Sequence, residues 1–164
     1  MELALFVLEK EKVILQIKDL LQTMPQYSTS ITINANQETI WKVLSDVAHW
    51  NEWTPTVTKV EVLDNPELKL HNRYKVFQPK LQPAVWSVTI LNPPSSFTWE
   101  SRVPSMVMTG GHTLKSTGAN QNELILTFSF QGLIGEIVGR LYRKTVESYI
   151  ATEAQSLKKR VENQ

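Results

Sequence analysis

Residues 133–161, LIGEIVGRLYRKTVESYIATEAQSLKKRV, contain no proline and follow a run of short alternating segments, and their reading decides the fold. Within them Val138, Leu141, Tyr142, Thr145, Tyr149 and Thr152 recur at helical spacing. A helix of about 28 residues reaches ~42 Å at 1.5 Å per residue, enough to cross a whole sheet. Just before it, 106–116 and 123–131 alternate apolar and polar residues in the manner of half-buried strands. The period changes near Gly132, so the chain is expected to end in a long helix on one face of a sheet.

Working back, strand-like segments fall at 57–63, 72–78, 84–91 and 96–103. Turn chemistry separates them: Asp64-Asn65-Pro66, His71-Asn72, Gln82-Pro83, Asn92-Pro93-Pro94, Pro104-Ser105 and Gly118-Ala119-Asn120. A first strand is expected from Tyr27, where Thr29, Ile31 and Ile33 interleave with Ser28, Ser30 and Thr32. Asn36 then caps a helix carrying Ile40, Trp41, Val43, Leu44 and Val47 on one face, with Glu38 in its first turn. A second short helix or turn holds His49, Trp50 and Trp53 and ends at Pro55. Consecutive hairpins followed by a terminal helix define an α+β class: a curved antiparallel sheet of about seven strands with two short helices between the first two.

At 164 residues the chain suits one domain with a real core. A formal charge of +1 gives no basic field for nucleic acid. The absence of cysteine excludes disulfides, thiolate metal sites and a cysteine nucleophile, and no Asn-x-Ser/Thr acceptor occurs. A reducing cytoplasm is the expected location. The apolar run Leu3–Leu8 follows Glu2, meets Glu9, Lys10 and Glu11, and is too short for a signal or a membrane span. With Val13, Ile14, Ile17, Leu20 and Leu21 it makes 3–22 an amphipathic helix, an extension (1–24) preceding the domain (25–164).

Ile40-Trp41-Lys42-Val43-Leu44-Ser45-Asp46, Trp50-Asn51-Glu52-Trp53, Trp86-Ser87-Val88, Pro94-Ser95-Ser96-Phe97-Thr98-Trp99 and Leu157-Lys158-Lys159 stand in an order that resembles the START-like (SRPBCC) superfamily. The branch they resemble is that of polyketide cyclases/dehydrases and lipid transport, over about 25–162. The resemblance implies a helix-grip fold enclosing an apolar cavity. It implies binding or carriage of a small hydrophobic ligand (a lipid, isoprenoid or polyketide-like molecule), or alternatively cyclase/dehydrase chemistry in the same cavity. The N-terminal helix departs from the family pattern, which begins near Tyr27.

The more apolar register of the strands is expected to face the helix. It comprises Trp86, Val88 and Ile90; Phe97, Trp99, Ser101 and Val103; Met106, Met108, Gly110, His112 and Leu114; and Leu124, Leu126, Phe128 and Phe130. The ligand lining is drawn from Trp53, Trp86, Val88, Trp99, Ser101, Met106, Met108, His112, Phe128, Tyr142, Thr145 and Tyr149. The two methionines would adapt to a guest, and the helix residues would offer hydroxyls. Burying ~300 Å² of apolar ligand is worth ~7 kcal/mol before the losses of association. His112 is the one titratable inner-face residue and hence the candidate general acid/base. His49 and His71 share no ligand spacing with it, so no metal is expected, and no cofactor motif appears. Gly132, Gly135 and Gly139 hinge the last strand into the helix. Glu136, Glu147 and Glu153 alternate with Arg140, Arg143 and Lys144 as a solvated face would. The expected partner is a small hydrophobic molecule, without nucleic acid or membrane insertion, for a monomer or homodimer.

Overall fold

The computed structural model describes residues 11–12 and 24–163. Of the expected helix over 3–22 only Glu11 and Lys12 are described, and they are helical; the rest lies outside the described residues. From Gln26 onward the elements are β1 (Gln26–Ile33), α1 (Gln37–Leu44), a 3-10 segment (Val47–Glu52), β2 (Lys59–Val62), β3 (Arg73–Phe77), β4 (Ala84–Asn92), β5 (Ser96–Val103), β6 (Met106–Gly118), β7 (Gln121–Gln131) and α2 (Gly135–Glu162). The strands form one seven-stranded antiparallel sheet in the order β1-β7-β6-β5-β4-β3-β2. Successive hairpins build most of it, and β1 returns to close against β7. This is the α+β helix-grip arrangement.

Local chemistry accounts for the starts and turns. Asn36 Oδ1 accepts from the Thr39 N–H at 2.8 Å and fixes the first turn of α1. Gly132 takes φ +103°, where a side chain is strained, and reverses β7 into α2. A Cβ on Gly139 would sit 2.6 Å from the Pro25 ring and 3.0 Å from Phe130, so only glycine lets α2 come this close to the sheet.

The inner face is the expected register except at Ile90 and Val103. A bulge between Val88 and Ile90 turns Leu91 inward and leaves Ile90 outside, 52% exposed. Val103 belongs to a hairpin tip that runs past the core, so it too is exposed. On α2 the buried stripe is Gly135, Gly139, Val146, Ile150, Ala154, Leu157 and Val161. This is about 100° around from the stripe through Leu141, Tyr142, Thr145 and Tyr149. Leu141 is consequently 77% exposed. α2 packs chiefly on β1 and β7, closely at Gly135 and Gly139 and through Val146, Ile150, Leu157 and Val161 further along, which turns Leu141 to the flank.

A buried histidine–glutamate pair in an aromatic nest

The side of the inner face that α2 does not cover is filled by rings. Trp86 and Trp99 have centroids 5.2 Å apart, Trp99 and Trp50 also 5.2 Å, and Trp86 and Phe128 5.8 Å. Trp50 is anchored by its indole N–H, which donates to the Leu44 carbonyl at 3.0 Å. Trp99 lies over Gly110 on the neighbouring strand, where a Cβ would be 2.5 Å from its Nε1.

His112 sits inside this nest. It stacks on Phe97 at 4.2 Å and 8°, and the rings of Trp50 and Trp99 stand edge-on to it. Its Nε2 is 3.2 Å from Glu153 Oε1 on α2, and the two side chains are only 6% and 13% exposed. Its Nδ1 is buried with no hydrogen-bond partner. A carboxylate can only accept, so Nε2 carries the proton; in the neutral tautomer the Nδ1 lone pair is then an acceptor held dry. Glu153 fixes that tautomer and steadies the imidazolium if Nδ1 gains a proton.

Glu153 corrects the sequence reading, which placed it on the solvated face of α2. The true stripe through Val146, Ile150 and Leu157 brings position 153 inward, and that spacing is the signal that would have found it. Of the expected lining, Trp86, Val88, Trp99, Ser101 and His112 are buried, whereas Trp53, Met106, Met108, Phe128, Thr145 and Tyr149 are half-buried. Tyr142 is 40% exposed on the flank of α2, away from the nest. The Tyr149 hydroxyl donates to the Pro79 carbonyl, bridging α2 to the β3–β4 turn, and burial raises its pKa.

Around His112 the rings of Phe97, Trp50 and Trp99 occupy the inner face, with centroids 4.2, 5.4 and 5.6 Å from the imidazole. Two clefts among the described residues lie outside the grip. One, of about 340 Å³, is lined by Trp41, Ser45, Asp46, Pro66, Glu67, Leu68 and Pro93. The other, of about 270 Å³, includes Lys42, His49, Trp53 and Arg160. His49 pairs with Asp46 at 2.7 Å, and that hydrogen bond raises its pKa. Among the described residues no three His, Cys, Asp or Glu side chains gather as metal ligands. Nor, among them, is any helix long and apolar enough to cross a membrane.

Residues 24–162 match the family described as polyketide cyclase/dehydrase and lipid transport, and the chain belongs to that family. Among solved structures it is similar to the Zhui aromatase/cyclase from Streptomyces sp. R1128, with a TM-score of 0.69 at 19% identity over 85% of this chain and 94% of that one. A START superfamily protein from Mycobacterium smegmatis gives 0.64 at 18% identity, covering 84% of this chain and 97% of that one. A norcoclaurine synthase point mutant from Thalictrum flavum, in complex with a transition state analogue, gives 0.69 at 11%, covering 85% and 95%. No curated protein matches the chain in sequence. Likeness at these identities establishes the fold, and chemistry has to be argued from the site.

Proposed function

We propose that this protein binds a small, mainly apolar molecule between the sheet and α2, and that His112 Nδ1 makes the polar contact to it. A lipid, isoprenoid or polyketide-like compound with a hydroxyl or phenol group fits this chemistry. The observation that carries the reading is the unpartnered Nδ1 of a side chain only 6% exposed. Leaving such a group unsatisfied costs ~1–3 kcal/mol, which a hydrogen bond from a guest would recover. Met108, Phe128, Thr145 and Tyr149 are half-buried although they lie around the inner face. They mark the side from which a guest would enter, displacing rings rather than filling a standing void.

A second reading, catalysis of the cyclase/dehydrase kind, is favoured by the His112–Glu153 pair itself. Nδ1 would take a proton from the carbon beside a substrate carbonyl, with Glu153 steadying the imidazolium. The same proton would then leave with the β-hydroxyl as water, forming the double bond.

Titration of tryptophan fluorescence tests the binding reading, since Trp50, Trp86 and Trp99 ring the site. Oleate and 1,8-dihydroxyanthraquinone serve as probes. Micromolar quenching by at least one is expected, with His112→Phe weakening the hydroxylated probe about tenfold, the equivalent of ~1.4 kcal/mol. If neither probe binds, and native mass spectrometry of protein from its own cells carries no added mass, the reading fails. Loss of one water from a bound β-hydroxyketone would favour the catalytic reading over carriage.

A further inference from the structure

The pyrrole edge of the Trp99 indole lies on bare backbone. A Cβ at Gly110, its partner across β5 and β6, would stand 2.5 Å from Trp99 Nε1, 2.9 Å from Cδ1 and 3.8 Å from Cε2. Glycine weakens the interior of a strand and marks a place where a ligand or another group comes up against the backbone. Here that group is a side chain of the protein itself. The seat is central on the inner face: Gly110 pairs with Phe128 on its other side, and His112 follows two residues along the same face of β6. Trp86 flanks the ring at 5.2 Å and 31°, and His112 meets it edge-on at 5.6 Å and 83°.

Packing, rather than a polar anchor, holds Trp99 there. The Trp50 indole N–H donates to the Leu44 carbonyl at 3.0 Å, whereas among the described residues no acceptor takes the Trp99 N–H. The next inner pair along the same two strands is Ser101 and Met108, a small side chain facing a flexible, half-buried one. A ring leaving Gly110 can turn to this side, because methionine re-packs readily. His112 Nδ1, the unpartnered group given to the guest, thus borders a seat that the protein fills with its own indole. We infer that Trp99 is an internal stopper: its indole occupies the place on Gly110 that an apolar guest takes, and it must swing off before the guest settles beside His112. The inference rests on the binding reading above. A seat open in only about one tenth of molecules lowers the apparent affinity tenfold, so Trp99 sets how strongly a guest must bind to enter.

Binding of 1,8-dihydroxyanthraquinone to the full chain tests this, followed by the probe's own visible absorbance so that loss of a tryptophan does not disturb the readout. Gly110→Ala pushes the indole off its seat and Trp99→Ala removes it; each is expected to tighten binding about fivefold or more, with faster association. Either variant decides the matter if the other does not fold. Gly111→Ala controls for general loosening: its Cβ would stand 2.4 Å from Thr127 Oγ1 on the opposite face of β6, and affinity should stay within about twofold of the parent. With the parent binding, unchanged or weaker binding in either folded variant would overturn the stopper alone and make Trp99 a wall of the site. An equal gain in Gly111→Ala would overturn it as well. Binding by none of the four proteins would remove the binding reading itself, and the stopper with it. In protein labelled with 5-fluorotryptophan, saturating probe is expected to move the Trp99 fluorine resonance toward its position in Gly110→Ala, and a resonance that stays in place would count against the inference.

Discussion

Replacing Glu153 by leucine removes the sole hydrogen-bond partner of the His112 imidazole among the described residues while keeping a side chain of similar size in place. His112 would then be buried with both ring nitrogens unpaired, at a cost of ~1–3 kcal/mol per group left unsatisfied. The leucine recovers up to ~1 kcal/mol by burying apolar surface where the glutamate is already only 13% exposed. The expected net loss is ~1–2 kcal/mol. With a urea m-value of ~2 kcal/mol/M, the midpoint falls by ~0.5–1 M at constant m. Glu153→Gln keeps an acceptor within reach of Nε2 and should lose at most about half as much. The double variant His112→Phe/Glu153→Leu removes both polar partners and should return to within ~0.5 kcal/mol of the parent, giving a coupling energy near 1 kcal/mol or more. Equilibrium urea unfolding of the four proteins at pH 7 measures the cycle. Full stability of Glu153→Leu alone, or additive single effects, would refute the pairing and with it the role given to Nδ1.

Gly110→Ala places a Cβ 2.5 Å from Trp99 Nε1 and 2.9 Å from Cδ1, so the indole must shift. A loss of ~1–3 kcal/mol is expected, with altered near-ultraviolet circular dichroism; an unchanged melting temperature and spectrum would place Trp99 elsewhere. Glu162 takes a hydrogen bond from Lys158 and another from the Asn34 N–H, which together lower its pKa. A lowered folded-state pKa stabilises the fold above the usual glutamate value of about 4.3, and that contribution is lost as pH falls through the folded value. Glu162→Gln should therefore narrow the stability difference between pH 6 and pH 3, and an unchanged difference in urea midpoints would argue against it.

The strands were legible because two-residue alternation and proline-rich turns act locally. Each expected segment from 57 to 131 coincides with an observed strand, with β4 running one residue longer and β6 and β7 two residues longer at their shared turn. Asn36 was legible for the same reason, since a cap needs only a residue three positions on. Ile90 was not: the bulge that turns it outward arises in the pairing of β4 with β5, which residues 84–91 alone do not encode. The face of α2 was misjudged because periodicity weights large apolar residues. Gly139, which makes the close contact with Pro25 and Phe130, carries almost no such weight, and neither does the buried Ala154.

The candidate site divides along the same line. His112 followed from sequence as the one ionisable residue in an apolar register, and Trp86 and Trp99 as its neighbours on the same side, because alternation along a strand is a property of the backbone. Its partner lies 41 residues away on another element and is brought to 3.2 Å by the docking of α2 on β1 and β7. Sequence by itself determined the order of elements, the class of fold and the inner face of the sheet. Only the tertiary structure decided the rotation of the long helix, and hence that Glu153 faces a buried imidazole while Ile137 and Leu141 face outward. Rotation is set by how closely two surfaces approach, and that depends on side chains distant in the chain.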